Sequence, residues 1–256
     1  MNKNIIYTYI TGDYVNIIEP TIITPGWDYK CFTNNPNLKS EVWKILPIPS
    51  EYNKIKDQKR IASLLKIEYY KLIDPYYDTI ISIDGNIEIK KDLNIFLEKI
   101  KFNDHDIGVL IHPERNCIYE EAKIIKINNL DKEEIVESQM KRYKNKKYPP
   151  HVGLWFGGLI IRNNKSDNIK KRCERWSQEY RNGSRRDQLS FIYSFWEPSL
   201  PIKIKYIDFI WSLGGDKDTG YEWRIESSKY TSIEPGTPDI QIIIHPHIND
   251  STRQLR

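Results

Sequence analysis

The chain has 256 residues, 39 of them basic and 35 acidic for a net charge of +4, which is enough length for one large α/β domain and too little charge to mark a nucleic-acid binder. Its three cysteines, Cys31, Cys117 and Cys173, form no Cys-x-x-Cys pair and no disulfide framework, so they read as core or surface thiols in a reducing compartment. No stretch approaches the ~18 apolar residues of a membrane span, and Met1 to Tyr7 lacks a signal-peptide core, so a soluble cytoplasmic protein is expected.

Residues 5–10 form a β-prone run that meets Thr11-Gly12-Asp13-Tyr14, which predicts a first strand and its loop. A second strand is expected over 29–33, stopped by Asn34-Asn35-Pro36. A third, over 42–48, carries Pro47 and is followed by Pro49, which argues for a sheet edge. From 57 to 73 the period changes: Ile61, Leu64, Leu65, Tyr69, Leu72 and Ile73 recur on one face of an amphipathic helix that ends before Asp74-Pro75. The apolar run 80–83 then reaches a carboxylate at Asp84, turns on Gly85 and leaves through Asn86 into the alternating Ile87, Glu88, Ile89. A helix followed by such a strand is half of a βα alternation and implies a mostly parallel sheet covered by helices. Asp-Gly between β-prone residues is also a strong hairpin signal, so both readings stand at this point.

A short helix is expected over 93–100 and a strand over 106–111, ending on His112-Pro113. Helices follow at 119–126 and 132–143; the basic cluster 141–147 reads as a solvated helix end rather than a polyanion site. Residues 153–162 read as a loop entering a buried strand, in which Gly157-Gly158 lets backbone or ligand come close. A helix faced by Ile169, Cys173, Trp176 and Tyr180 closes on Asn182-Gly183, and Arg185-Arg186-Asp187-Gln188 opens another. Late strands are expected at 202–207 and 240–244, separated by a polar, glycine-rich loop at 214–220, and the last delivers His245-Pro246-His247. No repeat or interdomain linker interrupts 1–256, so one domain is expected.

Three element ends thus present polar groups: Asp84 with Asn86, Asp187 with its arginines, and His245 with His247. Asp and Asn oxygens two residues apart on a turn can share a hard cation such as Mg2+ or Mn2+, and a histidine from elsewhere, here His245, is a common additional ligand for Mn2+. A cation so held would neutralise a diphosphate leaving group, with Arg60 and Lys66 on the preceding helix as local helpers. Each has an ordinary structural reading: Asp187 stands where a helix N-cap belongs, His245 also reads as a plain strand end, and Arg60 as a solvent-facing helix residue.

The ordered set Tyr7-Thr8-Tyr9-Ile10-Thr11-Gly12-Asp13-Tyr14, Cys31 to Pro36, Trp43-Lys44-Ile45, Arg60 to Lys66, Ser82 to Ile87, His112-Pro113 with Cys117 to Ala122, Gly157 to Arg162 and Arg186 to Phe191 resembles the glycosyltransferase-like domain of plant Golgi cell-wall proteins and of bacterial and viral glycan clusters. The resemblance runs over roughly residues 5–195. It implies a GT-A (Rossmann-like) α/β fold with a mostly parallel central sheet and helices on both faces. It also implies a nucleotide-sugar half over about 1–110 and an acceptor half over about 111–256. In it Asp84-Gly85-Asn86 stands in place of an Asp-x-Asp metal motif, with the second acid replaced by Asn86, which weakens the case for Mn2+ or Mg2+. Asp187 and Gln188, with Arg186, would lie near the reacting sugar. Thr8, Thr11 and Tyr14 would line the nucleotide pocket with Arg60, Lys66 and Asp84. The expected activity is transfer of a hexose from a nucleotide diphosphate sugar to a glycan or other hydroxyl acceptor. The rivals are a catalytically inactive carbohydrate or nucleotide-sugar binder and, on the basic cluster 141–147, a protein acting on nucleic acid. Donor, acceptor and stereochemical course are not legible.

Overall fold

Strands rich in β-branched and aromatic residues go to the middle of a sheet covered on both faces, and two of them do so here. The computed structural model describes residues 3–13, 16–196, 200–207, 210–212, 222–225 and 240–244. Strand β1 (Asn4–Ile10) is buried over six of its seven residues, and so is most of β4 (Thr79–Asp84). They pair in parallel, with β2 (Trp27–Thr33) on the far side of β1 and β3 (Lys44–Pro47) beyond it. Strand β3 has no buried residue and carries Pro47, which fits the edge position.

The sheet continues from β4 through β7 (Trp155–Asn163) and β6 (Ile107–Ile111) to β8 (Ile204–Ile207), giving the order β3-β2-β1-β4-β7-β6-β8. Only β7 runs against the others, since it is antiparallel to both β4 and β6 while β6 and β8 are parallel. This mostly parallel sheet is the GT-A arrangement that the sequence led us to expect. The strand β5 (Ile87–Ile89) does not fold back on β4. It pairs antiparallel with β11 (Ile240–Ile244), which continues through β10 (Glu222–Ile225) to β9 (Ile210–Ser212) in a second, four-stranded sheet. The hairpin reading of Asp84-Gly85-Asn86 is therefore overturned: the turn passes the chain from one sheet to another.

The two faces of the large sheet are covered unequally. One carries Ile5, Tyr7, Tyr9 and Ile80 against α1 (Gln58–Ile67), α3 (Ile118–Ile127), α4 (Glu133–Asn145), α5 (Asp167–Arg181) and α6 (Gln188–Phe195). The other carries Ile6, Ile10, Ile81 and Ile83 against Trp27, Tyr29, Trp43 and the short α2 (Leu93–Lys99). Helix α1 begins on Asp57, whose carboxylate accepts the Lys59 and Arg60 amides at 3.0 and 3.3 Å. It stops at Ile67 and the chain tightens into a 3-10 turn over Tyr69–Lys71, shorter than the continuous helix expected to Ile73. Six of the tyrosines, Tyr7, Tyr52, Tyr69, Tyr77, Tyr143 and Tyr180, are fully buried and serve the core. No helix among the described residues is long and apolar enough to cross a membrane.

After β6 the chain turns through a loop organised by His112. Its Nδ1 accepts the backbone N–H groups of Glu114 and Arg115 at 3.2 and 3.1 Å, which requires the neutral ring. Burial first, and then the Arg115 charge, bring its pKa from 6.5 down to about 4. The unfolded chain therefore takes up a proton in the interval where the folded loop does not. Stability from this group is fully present above pH 6.5 and is lost as pH falls toward 4, by on the order of 1–3 kcal/mol. Urea unfolding between pH 7 and 4.5 should show this slope, and His112→Asn should flatten it.

Candidate active site

The carboxyl edge of the sheet brings together residues from four separate elements. Asp84 ends β4 directly beside Tyr9 of β1, and the Tyr9 hydroxyl donates to Asp84 Oδ1 at 2.5 Å. Burial, followed by the Asp84 charge, pushes the Tyr9 phenol well above its ordinary pKa, so it serves as a neutral donor. Lys66, in the last turn of α1, places Nζ 3.1 Å from Asp84 Oδ1 and 2.8 Å from Asp187 Oδ2. Its side chain is 6% exposed, that of Asp187 15% and that of Asp84 33%, so the cluster opens to solvent on the Asp84 side.

Burial opposes the charge on Lys66, but Asp187 and Asp84 outweigh it and raise its pKa. Burial also opposes ionisation of Asp187, and Lys66 outweighs it, holding that carboxyl below its ordinary value. Lys66 and Asp187 are mutually dependent: each holds the other in its charged form against burial. Asp187 occupies the N-cap position of α6, yet its side chain makes no capping hydrogen bond. The ordinary capping reading is thus overturned, and the carboxylate is turned to Lys66 instead.

Two further features hold Lys66 in place. Its carbonyl accepts from the Tyr7 hydroxyl at 3.2 Å and from Arg162 Nη2 at 3.0 Å, while Arg162 Nη1 reaches Ser82 Oγ at 2.9 Å. Arg162 is fully buried and lies over the Tyr69 ring. Room for the ammonium comes from β7. The β6–β7 pairing steps from Val109–Ile160 to Leu110–Phe156, leaving a bulge at Gly157, Gly158 and Leu159. A Cβ on Gly157 would stand 3.1 Å from Lys66 Nζ and 3.6 Å from Asp187 Oδ2. The close approach expected at this glycine pair is real, and its beneficiary is the Lys66 side chain.

The remaining expected residues distribute around this cluster. Arg60 donates to the carbonyls of Tyr180 at 3.3 Å and Gly183 at 2.9 Å, and lies over the Tyr180 ring. It closes the end of α5 instead of facing solvent. Thr11 Oγ1 donates to the Gln58 carbonyl, and the Gly12 amide to Asn34 Oδ1, which ties the loop after β1 to the start of α1. The Thr8 hydroxyl is buried without a hydrogen-bond partner among the described residues. Arg186 donates weakly to Gln188 Oε1 at 3.4 Å, and its Nε is buried and unpaired among the described residues. Asn86 lies half-buried in the turn after Asp84. Tyr14 and His245 lie outside the described residues.

Sequence reasoning missed Tyr9, Arg162 and Lys59. The strand period places Tyr7 and Tyr9 on one face, but only the parallel register of β1 on β4 sets Tyr9 against Asp84. Lys59 is brought down to about 8, by its close protein surroundings first and then by the Arg186 charge, although the side chain as a whole is exposed. Arg186 and Arg185 repel the Lys59 ammonium, and Lys59 and Arg186 both act on Asp187.

The family model described as TOD1/MUCI70, glycosyltransferase-like domain matches residues 29–206, and the chain belongs to that family. Among solved structures, a crystal structure of an active-site mutant of LgtC matches at 12% identity and a TM-score of 0.45, covering 79% of this chain and 72% of that one. No curated protein matches. Family membership supports a glycosyltransferase role in general.

Proposed function

We propose that the protein transfers a hexose from a nucleotide diphosphate sugar to an acceptor hydroxyl, and that the Asp84–Lys66–Asp187 cluster is its centre. The observation that carries the reading is that one buried ammonium lies within 3.1 Å of both carboxylates at the carboxyl edge of the sheet, where open α/β sheets bind their ligands. The elements up to about residue 110 form the donor half, and those beyond it, with Asp187, face the acceptor.

Tyr9 and Lys66 both take Asp84 Oδ1, which leaves Oδ2 as the ligand oxygen for a divalent cation. With the Asn86 amide oxygen and the His245 imidazole, it would hold the cation with a single formal charge, a set that would suit Mn2+ better than Mg2+. Such a cation, when bound, supplies charge neutralisation at the diphosphate. The chain adds its own cations. Arg60 is occupied with carbonyls, so Lys59 and Arg186 are the groups left to meet the phosphates, and their mutual repulsion is relieved when an anion enters. Thr8, Thr11 and Tyr14 line the nucleotide side. Lys66 holds Asp187 ionised and aimed at the reacting sugar, with Gln188 beside it.

Release of free nucleoside diphosphate from a panel of nucleotide sugars with Mn2+ tests this reading. The wild type should turn over at least one donor, and Asp84→Asn should not. Equal turnover by both proteins contradicts the assignment. A donor that binds but is never consumed favours the inactive-binder reading, which the neutral Asn86 in the metal motif keeps open.

A further inference from the structure

A second group of ligand-type side chains lies on the same edge of the sheet, outside the cluster above, and we infer that Cys117, Glu120 and His151 form a zinc site. One candidate ligand atom from each lies within 4.8 Å of the other two. Cys117 immediately precedes α3, and Glu120 is one turn further along, so both project from the start of the same helix. His151 comes from a different segment, the loop that leads into β7.

Two observations separate this group from a chance meeting of polar side chains. His151 holds a left-handed backbone conformation, φ +57°, that an ordinary side chain adopts at a cost, so something fixes its direction. In addition, His151 Nδ1 and Asn116 Oδ1 are 2.8 Å apart. The amide oxygen accepts, so Nδ1 carries the proton and Nε2 keeps its lone pair, which is how an outer partner orients a metal-binding imidazole. The two loops are already stitched together, Gly153 N–H to the Asn116 carbonyl and His112 N–H to the Leu154 carbonyl, each at 2.9 Å.

Thiolate, carboxylate and imidazole together suit Zn2+, and the sulfur disfavours the Mg2+ or Mn2+ expected at Asp84. Zn–ligand bonds of about 2.0–2.3 Å in a tetrahedron set donor separations of roughly 3.3–3.8 Å, so from the 4.8 Å limit the three atoms need to close by at most about 1.5 Å. Side-chain rotation supplies that. The thiol proton leaves on binding, and one thiolate, one carboxylate and Zn2+ make a neutral site with a fourth position for water. The ion would clamp the 112–117 loop to the approach of β7, the strand whose bulge houses Lys66.

The test uses the full chain with the metal alone. After exposure to Zn2+ and dialysis the wild type should retain one equivalent by elemental analysis. Co2+ in its place should give a thiolate-to-metal charge-transfer band. Cys117→Ser should lose the band, and His151→Asn and Glu120→Gln should each weaken Co2+ binding at least tenfold; asparagine tolerates the left-handed backbone at 151, and far-UV circular dichroism checks that each variant is folded. Asp84→Asn should keep the band, which separates this site from the proposed donor site. The inference is overturned if the wild type shows no band and retains no zinc, if the band survives unchanged in His151→Asn and Glu120→Gln, or if Asp84→Asn abolishes it.

Discussion

Lys66→Met destabilises the protein by about 3–5 kcal/mol, the usual consequence of removing one partner from a buried ion pair and leaving the other charge uncompensated. The residue is 6% exposed and Asp187, its closer partner, 15% exposed, so water cannot replace the ammonium. The methionine chain fills most of the lysine volume, which keeps a cavity term out of the comparison. Asp187 then recovers its proton, because burial already opposes its charge and Lys66 is the largest influence holding that charge in place. The double variant Lys66→Met/Asp187→Asn should regain a large part of the loss, since it removes the stranded carboxylate. Urea unfolding of the two variants and the wild type checks this. A single variant as stable as the wild type would show that the ammonium does not hold the cluster together.

Asp187→Asn lowers kcat by about 10²-fold or more while changing donor affinity much less, because the carboxylate is proposed to act on the reacting sugar and not to hold the nucleotide. Its stability cost should be smaller than that of Lys66→Met, since Lys66 keeps Asp84 at 3.1 Å. Steady-state rates over a range of donor concentrations separate the two parameters. A change confined to KM would move Asp187 from chemistry to binding.

The order of elements was largely legible because burial leaves plain marks. The run Ile80 to Ile83, interrupted only by the small Ser82, reads as a strand covered on both faces, and Pro47 argues for an edge. The acid at the end of β4 was legible for the same reason, as the first polar residue after such a run. The fate of the following turn was not, because β5 pairs with a strand some 150 residues later and its alternating Ile-Glu-Ile suits either partner.

The site was legible as a set of residues and not as an arrangement. Asp187 carries every local mark of a helix cap, and the preference that overrides it comes from Lys66, 121 positions away. An ionised carboxylate gains more from a buried ammonium than from backbone amides that water can also reach. Arg60 and Lys66 were both read as cations for a phosphate, but they sit six residues apart on α1 and diverge. Lys66 turns under β7 to the acids, and Arg60 turns to the end of α5. The glycine at 157 suggested a close neighbour, and only the fold shows that the neighbour is Lys66 Nζ.

Calorimetric titration of a nucleoside diphosphate into the protein with Mn2+ present, repeated with Asp84→Asn, tests the central claim most directly. The wild type should bind, and at 100 times the dissociation constant the ligand should add about 2.7 kcal/mol to its unfolding free energy. Asp84→Asn should stay folded and lose most of that binding. Equal binding by the two proteins, or no binding of any nucleoside diphosphate by the wild type, would contradict the assignment of the Asp84–Lys66–Asp187 cluster as the donor site.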